Sequence, residues 1–427
     1  MPLIRLPTPS PRKRSEGGRP QRRRPPLPVL YGRDACKRTY LPATPPPKDS
    51  RVAPCFTALY LLLDMANRKI TMTLRTHPTR LCAAGFLAFC ALLPVIVHAA
   101  EVGVAAPLSG TSELLGVQVR AGASSAAGKS DVSLEIADDA CTAEGGAAAA
   151  QKLVAAQVKI VVGFLCTEAL EAAMPTLKQA GIPVITVGVR TDSLTDGRQK
   201  TGWPVFRLGP RADSEQQAAG ALIPPLWRSE LFAIIDDGTI YGRELAESVR
   251  AATEENALKP VFVDTFRPEL DNQVGLVGRL RKAGATHVFV GGDRDDVAII
   301  GRDAKGLGMN VTLAGGEALR AAAGDTPLQA GTLMVGLPEP AEIATPDTLA
   351  ALKAEEIIPE GYVLPAYAAV EIAAAVLAGA GAPPTERLGA DEFQTALGKI
   401  RFDAKGDLNQ NPYRLFRFDG TRFAEVK

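Results

Sequence analysis

From Val102 onward, short apolar runs alternate with longer stretches carrying polar residues, and this alternation limits the fold more than any other feature of the chain. The runs EVGVAAP (101–107), KIVVGFL (159–165), PVITVGV (183–189), LFAIIDD (231–237) and HVFVGG (287–292) contain few polar groups, as strands buried on both faces do. The segments 143–157, 168–180, 213–227, 241–256, 271–283 and 295–307 have the length of helices, and a further helix is expected to begin near Val117. Strands alternating with helices of about 10–15 residues predict an α/β protein built on doubly wound, mostly parallel sheets with helices on both faces.

Two sets of this kind are present, near 101–225 and near 230–338. Helices are expected again at 346–356, 361–378 and 391–398, and residues 401–426 read as turn, strand, Asp-Gly turn and strand. These last pieces carry no core of their own and are expected to pack back on the two units. One lobe is therefore assigned 101–225 plus about 339–400, and the other 226–338 plus about 401–427, with a hinge where the chain crosses. A chain of 427 residues, 46% hydrophobic, is large enough for two such cores.

The first 71 residues differ in kind: they are rich in Pro and Arg, include Arg22, Arg23 and Arg24 in a row, and are expected to be a disordered tail. Residues 72–99 read as a secretory signal peptide, with Arg75 and Arg80 before an apolar stretch, Leu81 to Val97, and Val97-His98-Ala99 as a small-x-small cleavage site. Because such peptides are N-terminal, translation is expected to start at Met65 or Met72. The protein is then exported to the periplasm, and its mature part does not span a membrane. Cleavage would remove Cys36, Cys55, Cys82 and Cys90, leaving Cys141 and Cys166. Two cysteines in an exported domain read as one disulfide, closing a loop of about 25 residues worth about 3 kcal/mol; two free buried thiols are the alternative.

The chemistry expected of an enzyme is missing. No G-x-x-x-x-G-K-[ST] loop, no G-x-G-x-x-G after a strand and no G-x-S-x-G elbow occurs. His287, the one histidine after the signal peptide, lies inside an apolar strand, and the paired acids Asp138-Asp139, Asp236-Asp237 and Asp295-Asp296 stand where turns and helix caps fall. No catalytic residue, metal site or cofactor is expected. The 48 Lys+Arg against 47 Asp+Glu leave a net charge of +1, which gives no reason to expect a nucleic-acid partner. Ligands of open α/β sheets bind beyond the carboxyl ends of the strands. The residues to watch are therefore Ser109 and Gly110, Cys166 and Thr167, Gly188 to Thr191, Asp237 to Tyr241, Gly291 to Asp293, and Gly315 to Glu317.

The motifs VAAPLSG, DDACTAEGGAAAAQKLV, KIVVGFLCT, AGIPVITVG, YGRELA, THVFVGG, LAGGE, EGYVLPAYAAVEI and FDAKGDL occur in this order over nearly all of the mature chain. In them the chain resembles the periplasmic leucine/isoleucine/valine-binding proteins of ABC transporters. The resemblance implies a two-lobed type I periplasmic binding fold that closes like a Venus flytrap, and a Cys141–Cys166 disulfide. It implies an α-carboxylate on Thr167, an ammonium at Gly188 and Glu317, and Tyr241 closing over the ligand. Ser109 lies in the first of these loops. Three positions depart from the family pattern: Leu115 and Asp293 stand where an aromatic is usual, and Arg190 where a small hydroxyl residue is. Arg190 would either hold a ligand carboxylate or pair with Asp192 or Asp196 at the surface. The helix after the first loop also looks shortened. The implied partners are a small amino acid or related carboxylated solute and an inner-membrane permease, with a monomeric chain and no cofactor. A ligand sensor on the same fold is the runner-up, and an exported enzyme using the strand-end acids comes third.

Overall fold

Val102 to Ala106 (β1) is buried at all five positions, and the parallel strands on either side of it account for that burial. The structure, a computed structural model, describes residues 101–379 and 381–426. The expected tail, signal peptide and first four cysteines lie outside these residues. The remaining strands of the first sheet are β2 (Leu134–Asp138), β3 (Ile160–Gly163), β4 (Val184–Thr186) and β5 (Val205–Arg207), all parallel in the order β2-β1-β3-β4-β5. Between them run α1 (Glu113–Ser130), α2 (Ala143–Ala155), α3 (Thr167–Gln179) and two single turns, α4 (Ser193–Asp196) and α5 (Arg198–Thr201).

The second sheet holds β6 (Phe232–Asp236), β7 (Phe262–Thr265), β8 (His287–Gly291), β9 (Thr312–Gly315) and β10 (Leu333–Gly336). Its parallel part runs β7-β6-β8-β9-β10, the order of the first sheet. Its helices are α6 (Ser214–Leu226), α7 (Ile240–Glu255), α8 (Val274–Ala283) and α9 (Arg294–Gly306). The C-terminal part of the chain adds α10 (Pro340–Ile343), α11 (Pro346–Ala354), α12 (Val363–Ala378), α13 (Pro384–Ala390) and the hairpin β11 (Phe393–Thr395) and β12 (Gly398–Ile400). The antiparallel strands β13 (Arg414–Phe418) and β14 (Phe423–Glu425) then extend the second sheet beside β10.

Each sheet is sandwiched. On the first, α1 and α12 cover one face through Val119, Ala123, Ala126, Tyr367 and Val370, while α2 and α3 cover the other through Leu153, Leu170 and Met174. On the second, α6 and α7 bury Ile223 and Leu245 against one face, and α8 and α9 bury Val277 and Ile300 against the other. Sheets covered on both sides need apolar residues at every strand position, which is why these strands read as continuous apolar runs.

Several local expectations are corrected. The helix α1 starts at Glu113, not near Val117, and its 18 residues are not short. Residues 391–398 form no helix. Pro384 starts α13 earlier, at a position where its missing N–H costs nothing, and Gly398, at φ +93°, then turns the chain between β11 and β12. The helix α6, grouped above with the first unit, packs on the second sheet through Ala219 and Ile223. Conversely, Phe402 and Leu408, grouped with the second, belong to the first core. The chain thus crosses between sheets near residues 208–213, 337–339 and 409–412.

Candidate functional site

A crevice at the carboxyl edge of an open α/β sheet forms where the chain leaves in opposite directions from two neighbouring strands. In the first sheet that point lies between β1 and β3, and in the second between β6 and β8. Ser109 follows β1 and Thr167 follows β3, while Tyr241 follows β6 and Asp293 follows β8. These four of the residues chosen from the sequence therefore border one of the two switch points, while Gly188 and Arg190 follow β4 and Glu317 follows β9.

The first-lobe rim is held by a disulfide and by hydrogen bonds. Cys141 and Cys166 are joined, with Cα atoms 5.2 Å apart, tying the loop after β2 to the loop after β3. Around the bridge Ala140, Cys141 and Phe164 take left-handed φ values of 47°, 53° and 51°, each costing on the order of 1 kcal/mol, so tertiary contacts hold this rim in shape. Asp138 accepts from the N–H groups of Leu108 and Ala140 and from the Ser109 hydroxyl. Burial pushes its carboxyl up, but these donors together hold it below the usual range. Asp139 is fully buried, and burial raises it to about 6 against the Cys141 N–H.

Thr167 is the first residue of α3, and Cys166 occupies the cap position without a side-chain bond. The Thr167 hydroxyl meets that of Thr191 at 2.8 Å, so it does not cap its own helix. Gly188 packs on Leu165; a Cβ there would lie 2.6 Å from Leu165 Cδ2 and 3.0 Å from its Cα, so a larger residue would require Leu165 to shift. Leu115, in the first turn of α1, is 39% exposed. Arg190 is exposed and pairs with neither Asp192 nor Asp196, because Arg211 takes both, at 3.4 and 3.2 Å. Its guanidinium reaches instead to the Tyr413 hydroxyl, at 2.7 Å.

Tyr413 immediately precedes β13, whose first residue, Arg414, pairs with Gly336 at the carboxyl end of antiparallel β10. The Arg190 contact therefore brings the carboxyl edges of the two sheets against each other. On the second-lobe side stands a linked group. Glu215 Oε1 accepts from the Tyr241 hydroxyl and from the Glu317 N–H, both at 2.7 Å. Gly316 lets these groups meet, since a Cβ there would lie 2.2 Å from Glu215 Oε1 and 2.4 Å from the tyrosine oxygen. Glu317 accepts from Arg320 Nε at 2.9 Å and from the Leu337 N–H at 2.5 Å. Burial raises the Glu317 carboxyl, with Leu337 and Arg320 pulling the other way, and burial raises Tyr241 with Glu215 adding to it.

Tyr241 and Glu317 are thus brought together, and Arg190 faces them through Tyr413. Asp293, exposed just before α9, joins this group by no hydrogen bond among the described residues. Glu215 and Tyr413 were not found from the sequence. An acid in the first turn of a helix and a tyrosine before a strand have ordinary local roles, and only the chain crossings bring them to the cleft.

The crossings themselves are fastened. Arg207, 0% exposed, binds Asp407 Oδ1 through Nε at 2.7 Å, the Thr191 carbonyl at 2.8 Å and the Thr195 hydroxyl. Arg211 reaches Asp407 Oδ2 at 3.0 Å, and Asn411 donates to the Ser214 carbonyl at 2.7 Å. A cavity of about 520 Å³ lies beside this hinge, lined by Arg211, Asp403, Asp407 and Asn409. Arg211 and Asp407 are already paired with each other there.

The sequence profile of the family described as periplasmic binding protein matches residues 99–422. The chain belongs to the periplasmic binding protein family. It is 29% identical over 375 residues to the leucine-, isoleucine-, valine-, threonine- and alanine-binding protein of Pseudomonas aeruginosa, across 82% of this chain and 98% of that one. Among solved structures, an ABC transporter substrate-binding protein from Desulfitobacterium hafniense in complex with Leu aligns with a TM-score of 0.55 at 22% identity. That alignment covers 77% of this chain and 99% of the other. A solute-binding protein of an ABC transporter from R. palustris in complex with benzoate aligns at 0.51 and 18%, over 77% of this chain and 95% of its own. The fold is the type I periplasmic binding fold, and among the described residues of this family member no helix is long and apolar enough to cross a membrane.

Proposed function

We propose that this protein is the exported solute-binding component of an ABC transporter, which takes up a small amino acid or related carboxylated solute between its lobes and presents it to the permease. The observation that carries this reading is the meeting of the two carboxyl edges at Arg190 and Tyr413. Strand-end groups of the first lobe (Thr167, Gly188, Arg190) and of the second (Tyr241, Glu317) would each supply part of the ligand shell. A ligand that touches both lobes favours the closed arrangement by its extra contacts there, which is the signal a permease can read. Membership of a family of solute-binding proteins, and relatives that bind amino acids, support the reading; periplasmic export rests on residues 72–99. Thermal unfolding with a panel of amino acids, aromatic acids and short carboxylates tests it. A ligand at about 100 times its Kd should add about 2.7 kcal/mol of stability, whereas a panel without any shift would overturn the proposal.

A further inference from the structure

We infer that the solute is an organic anion without an ammonium group, held through its carboxylate by Arg190; this rests on the solute-cleft reading above. The Arg190 guanidinium is exposed, and its one hydrogen-bond partner among the described residues is the neutral hydroxyl of Tyr413. The acids close to it in sequence are turned to Arg211, and no carboxylate lies within ion-pair distance of it among the described residues. Beside it in the chain is Thr191, whose hydroxyl meets that of Thr167 at the N-terminus of the 13-residue α3. A cation, two hydroxyls and a helix N-terminus all favour negative charge at this place.

On the opposite wall the two acids, Glu317 and Glu215, are already engaged within the protein. Glu317, the acid that a zwitterion's ammonium would need, is already occupied on both oxygens, by Arg320 and by the Leu337 N–H. Glu215 is buried and carries the Tyr241 hydroxyl and the Glu317 N–H on one oxygen. An ammonium entering here would lose its water and face Arg190 of like sign, with its acid already bound to a cation. A carboxylate alone would gain a charge-assisted bond to Arg190 and leave the Glu317–Arg320 pair intact.

Calorimetric titration of the wild-type protein with matched probes separates the two cases: 3-phenylpropanoate against L-phenylalanine, 4-methylpentanoate against L-leucine, and glutarate against L-glutamate. The acid of at least one pair should bind about tenfold or more tighter than its amino partner, and Arg190→Met should weaken that acid about tenfold or more, as loss of a charged hydrogen bond does. Amino acids that bind as tightly as their partners, or more tightly, would overturn the inference and leave the solute-binding reading standing. Acid binding unchanged in Arg190→Met would overturn the role given to Arg190. Binding by none of the six probes would overturn both the inference and the reading beneath it.

Discussion

The Arg190 guanidinium and the Tyr413 hydroxyl, 2.7 Å apart, join a loop of the first lobe to the entry of β13 in the second. The contact links the two lobes directly, so it contributes to how far they stand apart. Tyr413→Phe is expected to open the unliganded protein, seen as a larger radius of gyration in small-angle X-ray scattering. A hydrogen bond to a charged group is typically worth about 1.5–3 kcal/mol, enough to change the ratio of open to closed forms about tenfold or more. An unchanged radius would mean that the hinge alone sets the separation.

The hinge has its own centre in Asp407, which binds Arg207 and Arg211 and is itself buried. Asp407→Ala would leave the fully buried Arg207 without its carboxylate, and breaking a buried pair from one side costs about 3–5 kcal/mol. The midpoint of urea unfolding should fall accordingly. A loss below about 1 kcal/mol would show that water or the carbonyls of Val189 and Thr191 satisfy Arg207 on their own.

Removing the disulfide should act on both stability and affinity. Cys141→Ser with Cys166→Ser frees a 25-residue loop, and the lost constraint on the unfolded chain is worth about 3 kcal/mol. Because Thr167 follows Cys166 directly, solute affinity should fall as well. Equal affinity in the reduced and oxidised proteins would separate the bridge from the site.

Asp139 gives stability a pH dependence of definite sign. Burial lifts its carboxyl from 3.8 to about 6 in the folded state, so the folded form favours the proton more than the unfolded form does. The contribution is fully present below about pH 4 and is lost as the pH rises through about 6, a difference of on the order of 3 kcal/mol. Asp139→Asn keeps an acceptor for the Cys141 N–H but cannot ionise. Its melting temperature should therefore fall less than that of the wild type between pH 4.5 and 7; parallel curves would contradict this assignment.

The sheets were legible because strands buried on both faces leave long apolar runs, as at Val102–Ala106 and His287–Gly291. Residues 391–398 were not, since DEFQTALG lacks a clear strand pattern among mostly helix-compatible residues. The alternation of buried Phe393, exposed Gln394 and buried Thr395 is too short to outweigh them in the sequence. Thr167, Arg190, Tyr241 and Glu317 could be chosen because each follows a strand. Glu215 and Tyr413 could not, because the long-range contacts of Glu215 with Glu317 and of Tyr413 with Arg190 depend on where the chain crosses between lobes. That crossing was misplaced by a whole helix, α6. Local pattern fixes an element's type, whereas its lobe is decided by packing such as that of Ile223 and Trp227 on the second sheet.

Native mass spectrometry of the protein isolated from the cells that make it tests the central claim most directly. A solute-binding protein whose ligand spans both lobes should carry one small organic molecule per chain, and the double variant Thr167→Ala/Arg190→Met, prepared in the same way, should carry none. A wild-type protein that carries nothing, or a molecule retained equally by the double variant, would contradict the account.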